Sequence, residues 1–199
     1  MTSHSKAQQI ITLIQDEKLA LPDYTDFCKK VSAAYMARPK FEQAAVPAFK
    51  ELAKHSDKIF KQIKSKIDVE FVDEDPYKNF DELQADIKNN KRMKIWKGES
   101  DHPVLTPEQN WRLRAVHDWF AHTLGQHRFT MRGEIASYNR HAKLAPPKAH
   151  PAIFTEVVGQ VCAYLTTGKF QEQKVALLHG FDLDKVGLID EEEYKRNFE

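Results

Sequence analysis

Between Ala149 and Gly168 the chain carries one formal charge, Glu156, and no other stretch constrains the fold as tightly. On a helix turning ~100° per residue, Ile153, Phe154, Val157, Val158, Val161 and Leu165 share one side. Small Thr155, Gly159 and Ala163 lie opposite, where a neighbouring helix can approach closely. A helix apolar nearly all round belongs in an interior. Glu156, with Gln160 one turn later, must be buried with it. A buried carboxylate is paired, neutralised or bound to a metal.

The rest of the chain offers mostly helices to surround this one. Ile10, Ile11, Leu13 and Ile14 predict a helix over 7–18, and Tyr24, Phe27, Val31 and Tyr35 a second after Pro22-Asp23. A third is predicted over about 41–64, kinked or split by Pro47. Ile67–Phe71 alternates with period two, as does Met93–Trp96, and Phe80, Leu83 and Ile87 mark a short helix between them. That order allows a minimal crossover or a two-stranded patch on a helical body. Thr106-Pro107-Glu108-Gln109 combines an N-cap, a first-turn proline and a capping-box glutamine, opening a helix expected to stop at Gly125. Further helices are expected over about 131–143, from Pro151 to before Gly168, over 171–178, and in the acidic terminus. The fold class is therefore mainly α, a bundle-like domain with a small two-stranded β element.

Charge divides the chain into blocks. Lys29 to Lys66 holds ten Lys/Arg against three acids, a surplus of +7; Asp68 to Asp86 holds eight acids against Lys78, −7. The expected organisation is a helical region 1–66 with a basic outer face, a core domain 67–180 and an acidic tail 181–199. The plain reading of the basic block is a solvated lysine face that pairs with the acidic block. The other is a surface for phosphates. With a net charge of +1, the whole chain exerts no strong pull on nucleic acid or anionic lipid. No stretch approaches the ~20 apolar residues of a membrane helix, the start lacks the apolar core of a secretory signal, and Cys28 and Cys162 are too far apart for a CxxC pair, which suits a reducing compartment.

Six of nine histidines lie between His102 and His150. In the Thr106 helix, Arg114, Asp118 and His122 form an i, i+4, i+8 stripe with His117 on its flank. In the next helix Glu134, Tyr138 and His141 share a face. Asp118, His122, His141 and His117 are thus candidate metal ligands, of the donor types that Zn, Mn or Fe accept. Glu134 and Glu156 are candidate general bases, and Arg114 a candidate clamp for an anion. The spacing matches neither HExxH nor an EF-hand loop. A buried network of ion pairs, such as Arg114 with Glu156, explains the same residues without chemistry. Ser100-Asp101-His102 is no triad, because adjacent residues cannot adopt its geometry.

The run Asp101–Arg112, Arg114–Phe120 with His122, Arg132-Gly133-Glu134 with Tyr138 and His141, Phe154-Thr155-Glu156 with Gly159-Gln160, and Phe170 with Glu172-Gln173-Lys174 resembles a group of tailed-bacteriophage proteins. The resemblance spans about 71–178. It implies an infected bacterial cytoplasm or a virion as the setting, and no reaction. Two functions are expected from the whole: a metal-dependent hydrolase acting on a nucleotide or other anionic substrate, or a non-catalytic virion or nucleic-acid-associated protein. An inhibitor or adaptor of a host enzyme is a third.

Overall fold

The computed structural model describes residues 23–127, 131–184 and 186, and it is mainly helical with one two-stranded sheet. The expected helix over 7–18 and the acidic terminal helix lie outside the described residues. Helix α1 is Asp23–Ala37. Helix α2 is Val46–Lys64, shorter than the periodicity suggests, and Pro47 sits in its first turn instead of kinking it. That position needs no N–H donor, so proline starts the helix at no cost. Phe41 forms a parallel bridge with Val175.

Strands β1 (Asp68–Val72) and β2 (Arg92–Trp96) pair in parallel, Asp68 opposite Arg92 and Phe71 opposite Ile95. Helix α3 (Phe80–Asn90) makes the connection, so the crossover alternative holds. Asn79 caps it by accepting from the Glu82 N–H at 3.1 Å, and Lys91 closes it in the left-handed conformation at φ 52°. Helix α4 opens at Pro107 with both capping-box bonds made, Gln109 N–H to Thr106 at 3.3 Å and Thr106 N–H to Gln109 at 3.1 Å. It is α-helical over Pro107–His117 and then continues as a π-helix over Asp118–Leu124. Helix α5 is Met131–Leu144. Helix α6 begins as His150–Ile153, widens to a π segment over Phe154–Gly159 and ends as Gln160–Thr167 against a left-handed Gly168. Two π segments, one in α4 and one in α6, are unusual; such bulges occur mostly where a helix serves a site.

The helix expected over 171–178 is not formed. This stretch is extended, and its polar groups find partners elsewhere: Val175 N–H donates to Lys40 O at 2.9 Å and Glu42 N–H to Val175 O at 2.8 Å. Lys174 turns inward and its ammonium donates to the carbonyls of Tyr35 and Arg38 near the end of α1. Thr155 donates to Ala176 O at 2.9 Å. External backbone partners outcompete a local helix here.

One apolar cluster joins α1 and α2 to α5 and α6 through Tyr35, Phe49, Ile135 and Phe154; a second joins the sheet to α2 and α4 through Ile63, Met93, Ile95 and Val116. Helix α4 is thus packed on the sheet on one side and on the helical body on the other. Among the described residues no helix is long and apolar enough to cross a membrane.

Candidate metal centre

The π-helical winding after His117 sets the site. In an α-helix His117 and His122 stand ~140° apart, five steps of ~100°. A π-helix bonds i to i+5 and brings two such residues onto one face. Their Nε2 atoms lie 3.1 Å apart. Glu134, in the first turn of α5, completes the group: its Oε2 is 3.1 Å from His117 Nε2 and its Oε1 is 3.5 Å from His122 Nε2. A tetrahedral ion with bonds of about 2.0–2.2 Å holds its ligand atoms about 3.3–3.6 Å apart. These contacts, made to the two different Glu134 oxygens, are close to that spacing; one ligand atom from each of His117, His122 and Glu134 lies within 4.8 Å of the others, and the group can hold a metal ion.

The protonation of His122 is decided by its surroundings. Its Nδ1 lies 2.7 Å from the carbonyl oxygen of His127, which can only accept, so Nδ1 carries the proton. With its proton on Nδ1, His122 turns Nε2 toward His117 and Glu134, the orientation that a backbone carbonyl imposes on metal-ligating histidines. The turn 125–127 makes this contact. His127 N–H donates to Ala121 O at 3.1 Å, and Gln126 adopts a positive φ of 57°. A Cβ on Gly125 would lie 2.4 Å from Ala121 O, so glycine is needed for the chain to double back. Gln84, from the crossover helix, donates to the His122 carbonyl at 2.6 Å.

Electrostatics tie the three together. Burial works to lower the His117 imidazole, but the Glu134 carboxylate overrides it and the net shift is upward. Burial works to raise Glu134, and His117 and His122 together hold it below the ordinary carboxylate range. Asp118 goes the other way: burial raises it, only partly offset by His122 and His117.

A cavity of about 790 Å³ opens beside the triangle, lined by His117, Glu134 and Asp118 at one part and by Arg114, Glu156 and Gln160 at another. Asp118 makes no hydrogen bond or ion pair with a described residue. It is not part of the metal-competent group, and the expected ligand stripe of Asp118 with His122 is replaced by His117 with His122. His141 is also outside the group. Its ring is 1 % exposed and sits beside His55, centroids 5.8 Å apart, and Phe120, 6.2 Å apart. Burial, with His117, His55 and His150 adding to it, lowers its pKa to about 3. Tyr138, expected on the Glu134 face, donates to Leu183 O at 3.1 Å.

Arg114 is not an open clamp. Its guanidinium donates to the carbonyls of Trp96 at 2.9 Å, Gly98 at 2.6 Å and Glu99 at 2.8 Å, anchoring the loop after β2. No ion pair joins it to Glu156. Glu156 is buried as its helix demands and accepts from Gln160 at 2.8 Å. Facing it is His102. His102 Nδ1 accepts from the N–H groups of Val104 at 3.1 Å and Leu105 at 2.9 Å, so its proton is on Nε2, 3.7 Å from Glu156 Oε1. Ser100 donates to Lys97 O at 2.6 Å and Asp101 is exposed, which disposes of any triad.

His127 and Gly125 escaped sequence reasoning because they act through backbone geometry. Comparison with known proteins finds no matching family model, no matching curated protein and no matching solved structure.

Proposed function

We propose that this protein is a divalent-metal-dependent hydrolase, with His117, His122 and Glu134 holding one Zn, Mn or Fe ion and the fourth position facing the cavity. The observation that carries this reading is the convergence of His117 Nε2, His122 Nε2 and the Glu134 carboxylate, one ligand atom from each lying within 4.8 Å of the others, with His122 Nε2 turned toward the group by the His127 carbonyl. Two histidines and one glutamate are a donor set of catalytic zinc sites, which keep a position open, not of closed structural ones. The carboxylates of Asp118, Glu134 and Glu156 in the cavity lining would also attract a divalent ion.

The ion would lower the pKa of a water toward 7. Glu134 is committed as a ligand, so the general base is Asp118, which lies in the cavity wall without a hydrogen bond or ion pair to a described residue and is held above the ordinary carboxylate range by burial. Lys78 and Lys94 line the cavity, next to Tyr77 and Trp96, and make no ion pair with a described residue. They, in place of Arg114, would meet the anionic part of a nucleotide-like substrate. The resemblance to tailed-phage proteins supports an infected bacterium as the setting.

A second reading has its own observation. At 3.1 Å the His117–Glu134 contact is also a good ion pair, and the cluster could be purely structural. Metal titration by calorimetry with elemental analysis separates the two. The hydrolase reading expects one ion per chain, loss of metal in Glu134→Gln and His122→Ala, and metal-supported phosphate release from nucleotides that Asp118→Asn removes without loss of the ion. Wild-type protein that binds no stoichiometric Zn, Mn or Fe at micromolar concentration would leave the structural network.

A further inference from the structure

A second groove, of about 530 Å³, runs along the outer face of α2, with Lys50, Lys54, Lys58 and Lys61 on one wall and Val104 and Leu105 on the other. The lysines stand at i, i+4, i+8 and i+11, within an arc of ~80° and along ~16 Å of helix. All four are exposed. The acidic block that follows does not neutralise them, contrary to the plain expectation from sequence. Asp86 and Glu70 pair with Arg92, and Asp73 with Lys97. Asp57, the one acid lining the groove, is held by Arg112 at 2.8 Å. No ion pair reaches Lys50, Lys54, Lys58 or Lys61 from any described residue.

Like charges one turn apart repel and destabilise a helix. A line of four such cations suits a row of anions of similar length. One strand of a nucleic-acid duplex carries a phosphate every ~3.4 Å of axis, so ~16 Å covers about five. The groove has no aromatic lining on which to stack bases, which disfavours a single strand and leaves contact to the backbone alone. The loop 101–105 links the two concavities: Asp101 lines the metal-competent cavity and Leu105 the groove. Four residues of chain reach at most ~14 Å.

We propose that α2 is a docking ridge for the phosphate backbone of a nucleic-acid duplex, bound without sequence preference beside the mouth of the metal-competent cavity. This does not depend on the hydrolase reading. The test is fluorescence anisotropy of the full chain with a labelled DNA duplex of mixed sequence over a fourfold range of salt. Four phosphate contacts at ~0.9 each give a log–log slope near −3.6, about a 150-fold loss of affinity across that range. The quadruple variant Lys50→Gln, Lys54→Gln, Lys58→Gln, Lys61→Gln should lose most of that slope. Removing the same charge elsewhere, with Lys88→Gln, Lys143→Gln, Lys148→Gln and Lys169→Gln, should leave it. Circular dichroism confirms that both variants are folded. Absence of duplex binding at low salt, or equal slopes in both quadruple variants, overturns the proposal. Displacement of the duplex by poly-glutamate at equal charge concentration also overturns it and assigns the groove to an acidic protein.

Discussion

Acid should destabilise this protein through His141 before any surface group matters. The imidazole is 1 % exposed, neither ring nitrogen has a hydrogen-bond partner, and its pKa in the folded chain is about 3. In the unfolded chain it titrates near 6.5. Between those values the unfolded state binds a proton that the folded state refuses, so stability is complete above about pH 6.5 and falls as pH drops. The gap corresponds to a total on the order of 5 kcal/mol, of which ~2 kcal/mol is gone by pH 5 at ~1.36 kcal/mol per unit. His141→Leu removes the titration while keeping the site apolar. Urea unfolding of both proteins in metal-free buffer, at pH 8, 6.5 and 5, measures it. The wild type should lose ~2 kcal/mol relative to the variant between pH 8 and 5, about 1 M in midpoint for a slope near 2 kcal/mol/M. The absolute offset between the two reports packing and is irrelevant to the argument. Parallel stability–pH curves would refute it, because His141 would then be solvated or hydrogen-bonded in solution.

Gly125→Ala puts a methyl 2.4 Å from Ala121 O and 2.7 Å from the His127 ring, so it should cost ~1–3 kcal/mol in thermal unfolding and weaken metal binding by loosening the carbonyl that orients His122. Wild-type metal affinity in this variant would contradict the role given to the 125–127 turn. Lys174→Met keeps the stem but strips the ammonium from the Tyr35 and Arg38 carbonyls, and should lower stability by ~2 kcal/mol or more in denaturant titration, with metal binding unchanged.

Much of the architecture was legible because its causes are local. The Thr106 capping box, the two period-two segments and the single charge of α6 each depend on residues a few positions apart. The burial of Glu156 followed from composition alone: nothing on that helix could solvate it. The candidate residues were also legible as a set, since few charged or imidazole groups fall on otherwise apolar helices.

Their grouping was not legible. An α-helical wheel pairs Asp118 with His122, one turn apart, and places His117 on the flank. The structure pairs His117 with His122, because the helix changes to i→i+5 bonding at Asp118, and no residue in Asp118–Leu124 announces that change. The same blindness affects Arg114, whose partners are carbonyls after β2, and His102, whose tautomer is set by two N–H groups in its own loop. It also affects the 171–178 stretch, where backbone partners at Lys40 and Glu42, far away in sequence, replace a local helix. Hydrophobic period and capping chemistry are short-range, so they could be read along the chain, and they located most of the described helices and both strands. Helix winding, imidazole tautomers and the choice between ion pairs depend on atoms brought close by packing, so they emerge in the fold and cannot be read along the chain.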